Sequence, residues 1–137
     1  MANASVRWVT GKQFVGTDST RHSVVLSTPE EGTGMKPSEL LLVALAGCTA
    51  VDVVDILSKK RTPLTSLEIQ VSGEQDPNPP WPFHKIHVKY IVSGKGLTDK
   101  NVALAIQLSE QKYCSVAATV RGIAEITSSF EILPEAE

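Results

Sequence analysis

The 137-residue chain has little of several things, and each scarcity narrows its chemistry. It has two cysteines, Cys48 and Cys114, too few to staple a small secreted scaffold. Aromatic residues are 5% of the chain and the formal net charge is −2, with no basic block. That composition argues against a nucleic-acid binder, which concentrates positive charge on one face. No basic segment followed by an apolar run opens the chain, so no secretory leader is expected. The longest apolar run, Leu40 to Val51, falls short of the roughly 20 residues that span a bilayer. His84 and His87 are three apart on a strand-like segment and face opposite ways, and His22 is remote, so no zinc spacing exists. Gly94-Lys95-Gly96 is too short for a phosphate loop, and no Gly-x-Ser-x-Gly elbow is present. Neither a metal nor a cofactor is expected.

What is present is an ordinary globular balance, 42% apolar and 20% charged, in a length usual for one domain. The expectation is a single soluble domain over residues 1–137, in the cytoplasm. Two lone thiols in a reducing compartment are either inert core or reactive groups.

The N-terminal segment reads as a meander: Val6–Val9, a turn at Gly11-Lys12, Gln13–Gly16, a polar patch at Asp18-Ser19-Thr20, then Ser23–Leu26. After a loop at Glu30–Gly34, Pro37 suits a first helical turn, and the helical pattern runs to about Lys60. From Leu40 to Val51 that helix is apolar almost all round, which predicts cover on nearly every side. One small sheet covers one face, and a second copy of the chain is the economical source of the rest. Leu64–Ser72 and Phe83–Val92 alternate as strands and are expected to pair antiparallel across a proline-rich loop around Trp81. Thr98 can cap a second helix from about Asp99 to Tyr113, and Ile123–Leu133 reads as a last strand. The expected fold class is α+β, β-β-β-α-β-β-α-β, with mainly antiparallel sheet around a long buried central helix in an intertwined homodimer.

Cys48 lies mid-helix on a stripe with Asp52, Asp55 and Lys59, spaced four, three and four. The plain reading is that the two aspartates pair with Lys59 near the solvated end; the sharper one is a polar track leading to a thiol. Burial and nearby carboxylates both raise a thiol's pKa, so a reactive Cys48 needs a cation from elsewhere. Among Arg7, Arg21, Arg61 and Arg121, the polar turn that holds Arg21 makes it the first candidate. Cys114 follows Gln107, Glu110 and Gln111 near the end of the second helix. The two thiols form either an attacking and resolving pair or two unrelated core residues.

Pro37-Ser38-Glu39-Leu40-Leu41-Leu42-Val43-Ala44-Leu45-Ala46-Gly47-Cys48 resembles the first-cysteine helix of the OsmC and organic hydroperoxide resistance family. Leu108-Ser109-Glu110-Gln111-Lys112-Tyr113-Cys114-Ser115-Val116 resembles that family's second-cysteine motif. The segment Gly47–Leu57 is most similar to the YhfA-like branch. The resemblance implies an intertwined homodimer and a thiol-dependent peroxidase for organic hydroperoxides. In it Cys48 would become a sulfenic acid, Cys114 would close a disulfide with it, and a dithiol such as dihydrolipoamide would reopen it. It also implies an arginine near the thiolate and a glutamate at the start of the helix, positions that Arg21 and Glu39 would fill. The alternatives are a non-catalytic relative that binds a small apolar ligand or senses thiol oxidation, with Trp81 near the pocket, and a structural dimer with core cysteines.

Overall fold

The computed structural model describes residues 1–135. The chain divides into two compact units, Met1–Leu41 and one that begins at Leu42. In the first, β1 (Ala4–Thr10), β2 (Gln13–Asp18) and β3 (Ser23–Ser27) form an antiparallel sheet in that order. Its turn at Gly11 has φ +52, a conformation glycine adopts without a Cβ penalty. Leu26 and Ser27, at the end of β3, are its buried residues.

Helix α1 (Pro37–Lys59) begins in the first unit and continues into the second. There follow β4 (Ser66–Gln75), β5 (Phe83–Ser93), α2 (Asp99–Leu108), a π-helical turn (Ser109–Tyr113), α3 (Ser115–Val120) and β6 (Glu125–Ile132). β4 and β5 pair antiparallel, as their alternation predicts, and the loop between them around Trp81 is irregular. Thr98 caps α2 by accepting the Asn101 amide at 3.1 Å. Ile86, Val88, Tyr90 and Val92 of β5 point inward and are fully buried. They pack in one core with Leu45, Val53 and Leu57 of α1 and Val102, Ala105 and Ile106 of α2. The backbone passes close at the end of β5, where a Cβ on Gly94 would stand 2.6 Å from the Pro63 carbonyl oxygen.

The fold class is α+β, but three parts of the expectation are corrected. The central helix is mostly exposed: only 22% of its most apolar 18-residue stretch is buried. Its buried residues are Leu45, Thr49, Val53 and Leu57, a stripe repeating every four residues, while Val43, Val51 and Val54 face outward. Alanines and a glycine between them carry little apolar surface, so all-round hydropathy did not require all-round burial. The long buried central helix of the expectation is therefore not what this chain shows. Second, the pairing is mainly antiparallel, as expected, but not throughout. There are two three-stranded sheets, and β6 runs parallel to β5, making the second sheet mixed. A strand, a helical crossover and a strand in one sheet demand that parallel pairing, which alternation alone does not reveal. Third, the second helix runs from Asp99 to Tyr113 as expected, but it widens after Leu108 into the π-turn and is followed from Ser115 by a short α3.

By length and composition α1 is also long and apolar enough to cross a membrane, a measure that core helices of soluble proteins pass as well. The run Leu40–Val51 understates it, because apolar residues continue beyond that segment at Val53, Val54, Ile56 and Leu57.

Candidate functional site

Both cysteines are free thiols. Cys48 lies in the middle of α1, half-buried and packed against the core of the second unit, to which the buried Cys114 belongs. Cys48 is close enough to act on the Cys114 thiol. The local backbone explains how Cys114 gets there. The five-residue π-turn ends with the Cys114 amide donating to the Ser109 carbonyl at 2.7 Å. Cys114 then leaves helical geometry, with φ −79 and ψ 108, and caps α3. Its Sγ accepts the Ala117 amide at 3.3 Å. Single π-turns inside helices recur at functional sites, where they re-aim a side chain.

Burial first, and the hydrogen bond with Cys48 second, push the Cys114 thiol up to about 11. It therefore keeps its proton at neutral pH.

The polar stripe on α1 divides. Asp55 pairs with Lys59 at 2.9 Å, both well exposed, which is the plain reading of those two. Asp52 turns elsewhere and accepts the hydroxyl of the fully buried Ser109 at 2.8 Å. Thr49, also fully buried, lies beside Cys48 in sequence, and its carbonyl is 3.5 Å from the same Ser109 hydroxyl. Deeper still, the buried Tyr90 donates its hydroxyl to Glu110 at 2.8 Å. Tyr90 is held far above the usual phenol range, chiefly by burial, with the Glu110 carboxylate adding to it and the Thr49 hydrogen bond opposing it. The Arg121 guanidinium donates to the Glu110 carbonyl from the residue that closes α3.

Thr49, Tyr90 and Ser109 are not candidate site residues by sequence, and Arg121 is only one of four arginines that could supply a cation. The only signal for Ser109 was its place within the second-cysteine segment. Tyr90 reads as one more inward residue of an alternating strand, and its hydroxyl gives no sign in sequence of the acid it meets. Arg21 and Glu39, by contrast, belong to the first unit. Arg21 is exposed in the β2–β3 turn with φ 68, its amide donating to the Asp18 carbonyl at 3.1 Å, and Glu39 is exposed in the first turn of α1.

His84 meets Glu74 and Asp76 at 3.5 and 3.2 Å, whereas His87 is held between Thr127 and Ser129 at 2.6 and 2.9 Å. Among the described residues no three His, Cys, Asp or Glu side chains gather as a metal site would require. Two cavities of about 440 and 400 Å³ flank the second-cysteine segment. Glu110 and Gln111 line one with Phe130, and Asp52 and Tyr113 line the other with Lys60. Trp81 is exposed and lines neither.

Residues 30–129, which include both cysteines, match the family of OsmC-like proteins. The chain is 36% identical over 130 residues to Protein YhfA of Escherichia coli (strain K12), covering 95% of this chain and 97% of that one. Its fold matches a hypothetical protein from Aquifex aeolicus VF5 with a TM-score of 0.89 at 29% identity, covering 99% and 98% of the two chains. It also matches the organic hydroperoxide resistance protein OhrB of Bacillus subtilis with a TM-score of 0.62, at 20% identity and 97% and 98% coverage, a likeness of fold. The chain belongs to the OsmC-like family, in its YhfA-like branch.

Proposed function

We propose that this OsmC-like protein is a thiol-dependent peroxidase that reduces organic hydroperoxides through Cys48 and Cys114. The observation that carries the reading is the pair of free thiols packed in one core, one half-buried on α1 and the other buried and holding its proton. A fold shared with proteins titled as organic hydroperoxide resistance proteins supports the choice of substrate.

In this reading the Cys48 thiolate attacks the terminal oxygen of the hydroperoxide. An S–O bond forms, the O–O bond breaks, and the departing alkoxide takes a proton and leaves as the alcohol. Cys48 is then a sulfenic acid. The Cys114 sulfur displaces its hydroxyl, the thiol proton leaves with it as water, and a Cys48–Cys114 disulfide remains. A dithiol such as dihydrolipoamide reopens that disulfide by exchange and is itself oxidised to a cyclic disulfide. Arg21 and Glu39 are proposed as the cation and its orienting acid. The reading includes a cytoplasmic location, where such thiols are kept reduced, and a homodimer, for which the outward-facing Val43, Val51 and Val54 of α1 are the supporting observation. Steady-state peroxide consumption with a dithiol reductant tests it: Cys48→Ser protein should show none, and undiminished turnover in that variant rules the reading out.

A second reading, a non-catalytic protein that binds a small apolar ligand, is favoured by one feature. A cavity of about 370 Å³ in the first unit is walled by Val6, Val24, Leu26 and Leu40. Calorimetric titration with medium-chain fatty acids should show saturable binding if that reading holds.

A further inference from the structure

Two of the hydrogen bonds of Ser109 reach different parts of the site. Its hydroxyl donates to Asp52 at 2.8 Å, and Asp52 is one helical turn beyond Cys48 on α1. Its carbonyl accepts the Cys114 amide at 2.7 Å across the π-turn. A single residue thus joins the helix that carries one thiol to the backbone that carries the other. The joint is protected, because Ser109 is fully buried and a competing water has no route to its hydroxyl. The turn it anchors is the wide, weakly bonded π-type, which needs an external tie to hold one register.

We propose that Asp52 and Ser109 are positioning residues that clamp the π-turn to α1 and thereby set the reach between Cys114 and Cys48 for disulfide closure. This rests on the thiol-pair reading above. Neither residue touches the reacting sulfurs. The clamp acts by holding the second thiol near the first before reaction, so that closure loses little conformational freedom.

The test is a thiol–disulfide equilibrium. Reduced protein is brought to equilibrium with mixtures of reduced and oxidised glutathione and analysed by intact mass. Closing the disulfide transfers two electrons and two thiol hydrogens to one glutathione disulfide, releasing two glutathione molecules. In the wild type the internal disulfide should dominate over the mixed disulfide with glutathione. Asp52→Ala and Ser109→Ala should each lower the effective concentration of one thiol at the other by about tenfold, the scale of a hydrogen bond to a charged group. The mixed disulfide should accumulate in its place. Asp52→Asn, which keeps an acceptor oxygen, should restore most of the effect. The double variant should be no worse than either single one, as two halves of one clamp require.

Asp52 is only partly buried, so Asp52→Ala carries the test if Ser109→Ala fails to fold. Variants that close the disulfide as readily as wild type, whatever their loss of thermal stability, overturn the clamp alone. A wild type that takes up glutathione but never closes its own disulfide overturns both the clamp and the peroxidase reading.

Discussion

Cys114 and Cys48 pack in one core, and after burial itself the Cys48 side chain is the neighbour that does most to hold the proton on Cys114. The folded state raises the Cys114 pKa from an ordinary 9.0 to about 11, so it favours the protonated form. The stability this contributes is fully present below the unfolded-state value and is lost as pH rises through the folded one. Urea denaturation of reduced protein should therefore show stability falling between about pH 9 and 11, with a shallower fall in Cys114→Ala. A slope identical in the two proteins would contradict the shift.

Cys114→Ser removes the second thiol and leaves the first. With one equivalent of hydroperoxide it should consume a single equivalent and stop at the Cys48 sulfenic acid, detectable as one added oxygen or by trapping with a dimedone probe. Continued turnover in the absence of any added thiol would show that Cys114 is not the resolving residue.

Tyr90→Phe leaves the Glu110 carboxylate without the hydroxyl that reaches it from the core. The loss should be about 1–3 kcal/mol, the cost of stranding a partly buried hydrogen-bonding group, measured by chemical denaturation. No change in stability would mean that Glu110 finds water as easily as it finds the tyrosine.

Gly94→Ala places a Cβ 2.6 Å from the Pro63 carbonyl oxygen, a backbone atom that cannot swing aside. Stability should fall by about 1–3 kcal/mol, the usual cost of forcing a close approach apart. An alanine accepted without loss would mean that the loop after α1 yields freely.

Much of this architecture was legible in the sequence, and the rest shows what pattern cannot carry. The alternation of Ile86, Val88, Tyr90 and Val92 identified both the strand and its buried face, because side chains on a strand repeat every two residues. Thr98 announced its helix because a hydroxyl at that position has one local partner to satisfy, the Asn101 amide. The direction of β6 depends on the crossover that precedes it, not on its own residues. The widening of the helix at Ser109 had no proline or glycine to mark it. It is held by partners far along the chain, Asp52 above all, which local reading does not bring together. The exposure of α1 was hidden for a related reason: hydropathy gives the character of a face and not what lies against it. At the site, the two cysteines stood out because thiols are rare here, while Thr49, Ser109 and Tyr90 are common residue types whose role comes only from the neighbours the fold supplies.

The most direct measurement is the reaction of fully reduced protein with one equivalent of cumene hydroperoxide, followed by intact mass, thiol titration and peptide mapping. The expected result is loss of both thiols and of their two hydrogens, with a Cys48–Cys114 link in the map and cumyl alcohol released in equal amount. Two unchanged thiols, under conditions where a standard thiol peroxidase reacts, would show that Cys48 is not an activated thiolate and would contradict the peroxidase function.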